Sequence, residues 1–258
     1  MKPLCIDLFC GLGGWTEGFL SEGYECIGFD IERHQYGTEK YPGQLVLQDV
    51  LTLHGSQFKD AAIIVASPPC QEYSYMAMPW HRSKQIAAAL RGHGEFPKGY
   101  TGSRTVAELN ALFEACFRIQ REACEAAGHH IPLVVENVRG AQKWVGRAAW
   151  NFGSYYLWGD VPALMPNTRH RKLPGHDLFY LNGSHVGKDS DGLKNVRNWW
   201  RDGAGNLSET TSSHSPARKA ASAQIAKIPR PLSEWIARCY KPTPPSIFSL
   251  DIPRPVAL

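Results

Sequence analysis

The sequence holds no run of about 18 apolar residues, so it offers no candidate membrane span. It contains no Cys-x-x-Cys and no histidine pair at zinc-ligand spacing beside a cysteine, which removes the common zinc folds and predicts no metal. There is no internal repeat and no low-complexity tract. Cysteine is sparse and odd in number: seven residues, at 5, 10, 26, 70, 116, 124 and 239, with no disulfide framework in their spacing. That pattern fits a reduced compartment, with most thiols acting as small buried apolar groups. The start, MKPLCIDLF, runs straight into strand-like sequence without a signal-peptide shape, so the expected location is cytoplasmic. Charge is also scarce. A net +4 does not by itself indicate nucleic acid. From His214 onward seven Lys/Arg stand against two acids, which suits phosphate contact and equally suits a solvated surface.

The 258 residues, 43% apolar and 20% charged, suffice for one large domain, or one with a small appendage. Segments 3–9, 25–30, 45–49, 61–67 and 132–138 are short apolar runs without strict polar alternation, as in strands covered on both faces. Val106, Leu109, Leu112, Phe113, Cys116 and Ile119 recur at helical spacing, predicting a helix over about 104–127 that Gly128 stops. A second helix is predicted over 141–150 and a last one over 231–240. The alternation predicts a doubly wound α/β sheet, in which ligands bind at the carboxyl ends of the strands. After about 152 the pattern changes: SYYLW and DLFYL read as strands, 182–215 as loop, and the end as a Pro-rich tail.

Four stretches carry chemistry. DLFCGLGGW (7–15) is a strand, a glycine-rich turn and a helix start, where Gly11, Gly13 and Gly14 let a ligand approach the backbone. Counted from Gly11, the sixth position is Thr16, so the G-x-G-x-x-G dinucleotide fingerprint fails and a smaller nucleoside cofactor fits better. Asp30 and Asp49 close two strands at the same predicted edge, placed to accept from ribose hydroxyls or an adenine amino group. Taken singly, each is more often a helix cap or turn residue; their common position is what raises the functional reading. Pro68-Pro69 should hold the chain rigidly as it leaves the fourth strand, with Cys70 projecting at the edge as a nucleophile. Glu136 ends the fifth strand among valines, where a carboxyl tends to keep its proton. A thiol and a carboxylic acid at adjacent strand ends suit addition to a polarised double bond.

DLFCGLGG, FDIE, QDV, SPPCQ with YS, and ENV, in this order, resemble the DNA cytosine-5 methyltransferases. GSRTVAELNALFEACFRI, NTRHR (167–171) and IAKIPRPLSEWIA are similar to further motifs of that family. The resemblance covers most of 4–171 and 216–240 and implies a Rossmann-like class I methyltransferase sheet using S-adenosylmethionine. Carried over by position, Asp7, Phe9, Gly11, Gly13, Gly14 and Pro69 would surround the cofactor. Asp30 would bind its ribose, Ile31 and Val50 would sandwich the adenine, and Asp49 would accept from its amino group. Cys70 would attack cytosine C6, Glu136 would hydrogen-bond or protonate N3, and Arg169 and Arg171 would position the base. The cytosine would be flipped out of double-stranded DNA. Segment 72–102 would be a catalytic loop, with Gln71, Ser74, Arg82 and Lys84 near the nucleic acid and glycines suited to movement.

The implied division is a catalytic domain at 1–171, a very small target-recognition region at 172–215, a returning segment at 216–241 and a tail at 242–258. The recognition region is charge-neutral, and Arg197, Trp199, Trp200 and Arg201 form its candidate contact patch, although either tryptophan could belong to a core. Asn167 stands where the family has glutamine, and Ile225 to Pro229 where it has Gly-Asn-Ala-Val-Pro. Lys227 in that departure is expected to point to solvent. It could instead pair with the cofactor carboxylate, or with a donor carrying an extra carboxylate. Two further readings stay open: a cytosine in tRNA as substrate, and an inactive nucleic-acid-binding relative.

Overall fold

The computed structural model describes residues 2–36, 38–73, 80–165, 219, 223 and 226–242. Ser74, Arg169, Arg171, Arg197, Trp199, Trp200 and Arg201, the DLFYL strand and residues 243–258 of the Pro-rich tail lie outside the described residues, as does all of 172–215.

The elements in chain order are β1 (Leu4–Leu8), α1 (Gly14–Ser21), β2 (Glu25–Asp30), β3 (Gln35–Tyr36), β4 (Glu39–Lys40), β5 (Gln44–Leu47), β6 (Ile63–Ala66), α2 (Trp80–Leu90), α3 (Val106–Ala127), β7 (Leu133–Asn137), α4 (Gln142–Val145), β8 (Trp150–Phe152), β9 (Tyr155–Gly159) and α5 (Arg230–Cys239). Seven strands form one sheet in the order β5-β2-β1-β6-β7-β9-β8. The first five in that order are parallel, and β9 and β8 add an antiparallel edge. The remaining pair, β3 and β4, is a separate hairpin between β2 and β5.

Strand parity divides the core into two layers. Ile6, Leu8, Ile64, Ala66, Leu133 and Val135 point to one face and pack with Leu109, Phe113, Cys116 and Ile119 of α3. Their neighbours Cys5, Ile63, Val65 and Val134 point to the other and pack with Trp15 and Phe19 of α1 and Leu232, Ile236 and Ala237 of α5. Both faces are therefore covered, which is why the strands read as continuous apolar runs. Each fully buried Leu or Ile of α5 contributes about 1.5–3 kcal/mol. This burial returns the C-terminal segment to α1, some two hundred residues away in the chain. Helix α3 starts at a Thr105 cap, whose hydroxyl accepts from the Glu108 N–H at 3.1 Å, and ends at Gly128 with φ 71°.

Two predicted elements need correction. The helix expected over 141–150 ends at Val145. Gly146 takes φ 92° and ψ 172°, and Trp150–Phe152 instead pair with β9. The loop expected over 72–102 contains helix α2, formed by the helix-favouring run Gln85 to Leu90.

Strand order runs outward from β1 through β2 in one direction and from β6 through β7 in the other. The reversal lies between β1 and β6, and the carboxyl ends of these strands frame the crevice where such sheets bind ligands.

Candidate active site

The turn after β1 is built around an unusual backbone. Phe9 adopts φ 56°, a left-handed conformation that is costly for a bulky residue. It turns the chain so that the Gly11 N–H donates to Asp30 Oδ2 at 2.9 Å, joining the ends of β1 and β2. A Cβ on Gly11 would meet nothing within 4 Å, so this glycine faces open space. The other two glycines are occupied from within the protein. Gly13 is closed by Tyr41 and Pro42, and Gly14 by the backbone of Ile228. Gly14 therefore admits the returning C-terminal segment rather than a ligand.

Asp30 Oδ1 lies 3.5 Å from His34 Nε2. Burial raises its pKa, but the His34 contact and the Gly11 N–H outweigh that and bring the carboxyl below its usual value. It is thus a carboxylate with its geometry set. Ile31 follows at 73% exposure, a large apolar side chain left uncovered beside it. Asp49 caps the short helix Val50–Thr52, its Oδ1 accepting from the Leu51 N–H at 2.9 Å. Val50 is 2% exposed and belongs to the core, so at this position it is Leu51 that presents an exposed apolar side chain.

Asp7 sits beneath the turn, not in it. It is 1% exposed, and its Oδ2 accepts from Thr16 Oγ1 at 2.7 Å. Thr16 also shares a hydrogen bond with Tyr41. Burial pushes the Asp7 carboxyl up to about 8. Its role is to brace α1 against the sheet.

At the end of β6 the chain passes through Ser67, Pro68 and Pro69 to Cys70. Three residues hold this exit. Asn137 Nδ2 donates to the Pro68 carbonyl at 2.9 Å. Tyr73, whose N–H donates to the Cys70 carbonyl, sends its hydroxyl to Leu109 O and Asn110 Oδ1 on α3. Glu72 accepts from the Tyr100 hydroxyl at 2.8 Å and from the Ser103 N–H and hydroxyl at 2.7 Å each. Tyr73, within the segment expected to form the catalytic loop, is a buried anchor. Pro69 and Gln71 are exposed beside Cys70; on α2, Arg82 is half-buried and Lys84 exposed.

Glu136 is 8% exposed on β7. Burial pushes its carboxyl up to about 8, so at neutral pH it is mostly a neutral acid; contact with Ser67 opposes the rise. Burial and the neighbouring Glu136 charge push the Cys70 thiol up to about 11. A protonated Glu136 removes that repulsion, so the acid form of one group favours the thiolate of the other.

Lys227 does not point to solvent. Its Nζ lies 2.6 Å from Glu17 Oε1 and 3.6 Å from Glu39 Oε2, tying the returning segment to α1 and the β3–β4 hairpin. Sequence reasoning passed over Ser67 and Glu72. Ser67 shares the parity of Ile63 and Val65, a usable signal, whereas nothing local to Glu72 points to partners about thirty residues on.

Among the described residues no group of three or more His, Cys, Asp or Glu could hold a metal ion, and no helix is long and apolar enough to cross a membrane. The seven cysteines are free thiols.

Residues 4–82 match the model of the C-5 cytosine-specific DNA methylase family. The chain is 33% identical over 78 residues to Type II methyltransferase M.DdeI of Desulfomicrobium norvegicum, a match covering 27% of this chain and 19% of that protein. Among solved structures, Entamoeba histolytica methyltransferase EhMeth superposes with TM-score 0.33 at 15% identity, over 57% of this chain and 41% of that one. S. pombe Dnmt2 methyltransferase gives 0.32 at 14% identity, over 57% and 37%. The matched region thus spans about a fifth of the curated relative and about two fifths of these structures.

Proposed function

The segment from β1 to the start of α2 carries the C-5 cytosine-specific DNA methylase pattern, and from that premise we propose that the chain methylates C5 of a flipped-out cytosine in double-stranded DNA. The observation that carries this reading is the meeting of Cys70 and Glu136 at the adjacent ends of β6 and β7, beside the Gly11–Asp30 crevice.

S-adenosylmethionine supplies the methyl group when bound. The residues present fit it: open space at Gly11, the Asp30 carboxylate for ribose hydroxyls, Ile31 and Leu51 as exposed apolar surfaces, and Asp49 for the adenine amino group. Phe9 lines the same turn.

Glu136, protonated near neutral pH, hydrogen-bonds or protonates N3 and draws electron density from the ring. The Cys70 thiolate then forms a bond to C6, and the electron pair moves to C5. C5 takes the methyl group, a base removes the C5 proton, and the S–C6 bond breaks to restore the aromatic ring and the thiolate. Arg169 and Arg171 are proposed to position the base. Residues 172–215 are proposed as the small recognition region, with Arg197, Trp199, Trp200 and Arg201 in contact with DNA alongside Gln71, Ser74, Arg82 and Lys84.

A donor bearing an extra carboxylate loses its rationale. Lys227 is already engaged by Glu17, with Glu39 close by, so its surroundings are net negative. Incubation with methyl-labelled donor and either duplex DNA or tRNA tests the proposal. The expected result is 5-methylcytosine in DNA, abolished by Cys70→Ser. Label only in tRNA would reassign the substrate, and a Cys70→Ser protein that still methylates would sink the mechanism.

A further inference from the structure

In the register of β6 and β7, Ala66 lies opposite Val135, which sets Ser67 opposite Glu136. Both residues share the parity of Val65 and Val134, so both project to the face covered by α1. There the indole of Trp15 donates from Nε1 to Ser67 Oγ at 3.0 Å. Trp15 follows the glycine turn directly and is itself buried.

We propose that Ser67 is a positioning residue that fixes which oxygen of Glu136 carries the proton, through a hydrogen-bonded chain running from Trp15. The inference rests on the reading of Glu136 as the acid that meets the base. An indole N–H can only donate. Having accepted it, the Ser67 hydroxyl has its own proton left to give, and the Glu136 carboxyl is the group set opposite it across the β6–β7 pair. That contact stabilises the ionised form and opposes the effect of burial. One carboxyl oxygen is thereby committed as acceptor. In the neutral acid the proton is then favoured on the other oxygen, because a carbonyl oxygen accepts better than a hydroxyl oxygen, leaving an O–H free for the substrate.

The surroundings supply no competing charge among the described residues. Leu157 lies opposite Glu136 on β9, Trp15 reaches the neighbouring Ser67 from α1, and the Cys70 thiol is the titratable neighbour at the β6 exit. The chain also links the cofactor turn, through α1, to the acid.

Two measurements test this. Carbon-13 NMR titration of the Glu136 carboxyl, assigned by its disappearance in Glu136→Gln, needs no activity. The midpoint should lie near 8 in the native protein. It should move higher in Ser67→Ala, move the same way by less in Trp15→Phe, and return in Ser67→Thr, which keeps the hydroxyl. The pH profile of kcat/KM is the second. The rate should rise with thiolate and level off where Glu136 ionises, and Ser67→Ala should shift that levelling upward. At pH 7 kcat/KM should fall about three- to ten-fold, the effect of one hydrogen bond. A Ser67→Ala protein with an unshifted midpoint overturns the proposal; if it does not fold, an unshifted Trp15→Phe does so. If the native enzyme depends on Cys70 while Ser67→Ala matches its profile, the reaction stands and only this inference fails. An inactive native protein with a shifted midpoint would leave the hydrogen-bonded chain in place and remove the reaction.

Discussion

Asn137 Nδ2 donates to the Pro68 carbonyl at 2.9 Å, tying the strand that carries Glu136 to the turn that carries Cys70. Asn137 is 1% exposed, and its own Oδ1 accepts from the Val138 N–H. Both polar ends are therefore used, and Cys70 and Glu136, the two groups proposed to react, share one rigid support.

Removing that support has a definite cost. Asn137→Ala leaves the Pro68 carbonyl without its partner and should destabilise the fold by about 1–3 kcal/mol, the penalty for an unmade buried hydrogen bond. Urea unfolding would show it. Methyl transfer should suffer in kcat more than in KM for either substrate, because geometry at the reacting atoms is what loosens. A rise in KM with kcat unchanged would argue against the assignment.

Glu136 should make the protein less stable as pH rises. Its folded pKa, about 8, lies above the ordinary 4.5, so between these values the folded state holds a proton that the unfolded state has released. Stability from this group is complete below about pH 4.5 and is lost progressively as pH climbs through 8. Asp7, raised to about 8 by the same cause, adds a second contribution in nearly the same window. Glu136→Gln should therefore abolish methylation yet stabilise the fold at pH 8 by on the order of 1–3 kcal/mol, with little gain at pH 4. Denaturation at both pH values checks this; a gain equal at both would show that Glu136 is not held as a neutral acid.

Much of this arrangement was legible from residue order alone. The central strands announced themselves because burial on both faces leaves uninterrupted apolar runs, and α3 because one amphipathic face recurs over six turns. Cys70 and Glu136 stood out because each is a reactive group at the end of such a run. The failures have physical causes. Ala141, Trp144, Val145 and Ala148 fall at helical spacing, and it is the backbone of Gly146 that ends the helix. Helix α2 was hidden by the glycines that follow it. Asp7, Asp30 and Asp49 all lie at or near strand ends in the sequence, yet Asp7 is buried under α1, Asp30 accepts from the glycine turn and Asp49 caps a short helix.

Glu72 should govern the loop that follows Cys70. Its carboxylate gathers Tyr100 and Ser103, closing the base of the segment that contains α2. The serine and tyrosine donors hold the carboxyl below its ordinary range even against burial, so it stays ionised through neutral pH. Glu72→Ala should open residues 91–104 to limited proteolysis and raise KM for nucleic acid, while urea stability changes by less than about 1 kcal/mol, as for other partly exposed polar contacts. Unchanged cleavage would mean that the loop holds its shape without this carboxylate. The stacked pair Phe96 and Tyr100, with Arg104 over both rings, would then be the sufficient brace.

Lys227 offers the last test, because its role divides cleanly between structure and donor binding. Its ammonium is mostly shielded and lies within 2.6 Å of Glu17 and 3.6 Å of Glu39, so removing it takes from both carboxylates the cation they share. Lys227→Met should cost about 1–2 kcal/mol of stability, more than an exposed pair because the charges are partly desolvated. Adding Glu17→Gln should recover part of that loss, and the coupling between the two substitutions should exceed about 0.5 kcal/mol in a double-mutant cycle. If the lysine serves the fold alone, KM for S-adenosylmethionine will stay the same once both variants are measured well below their unfolding temperatures. A KM that rises with Lys227→Met and does not recover in the double variant would instead place this ammonium at the carboxylate of the bound donor.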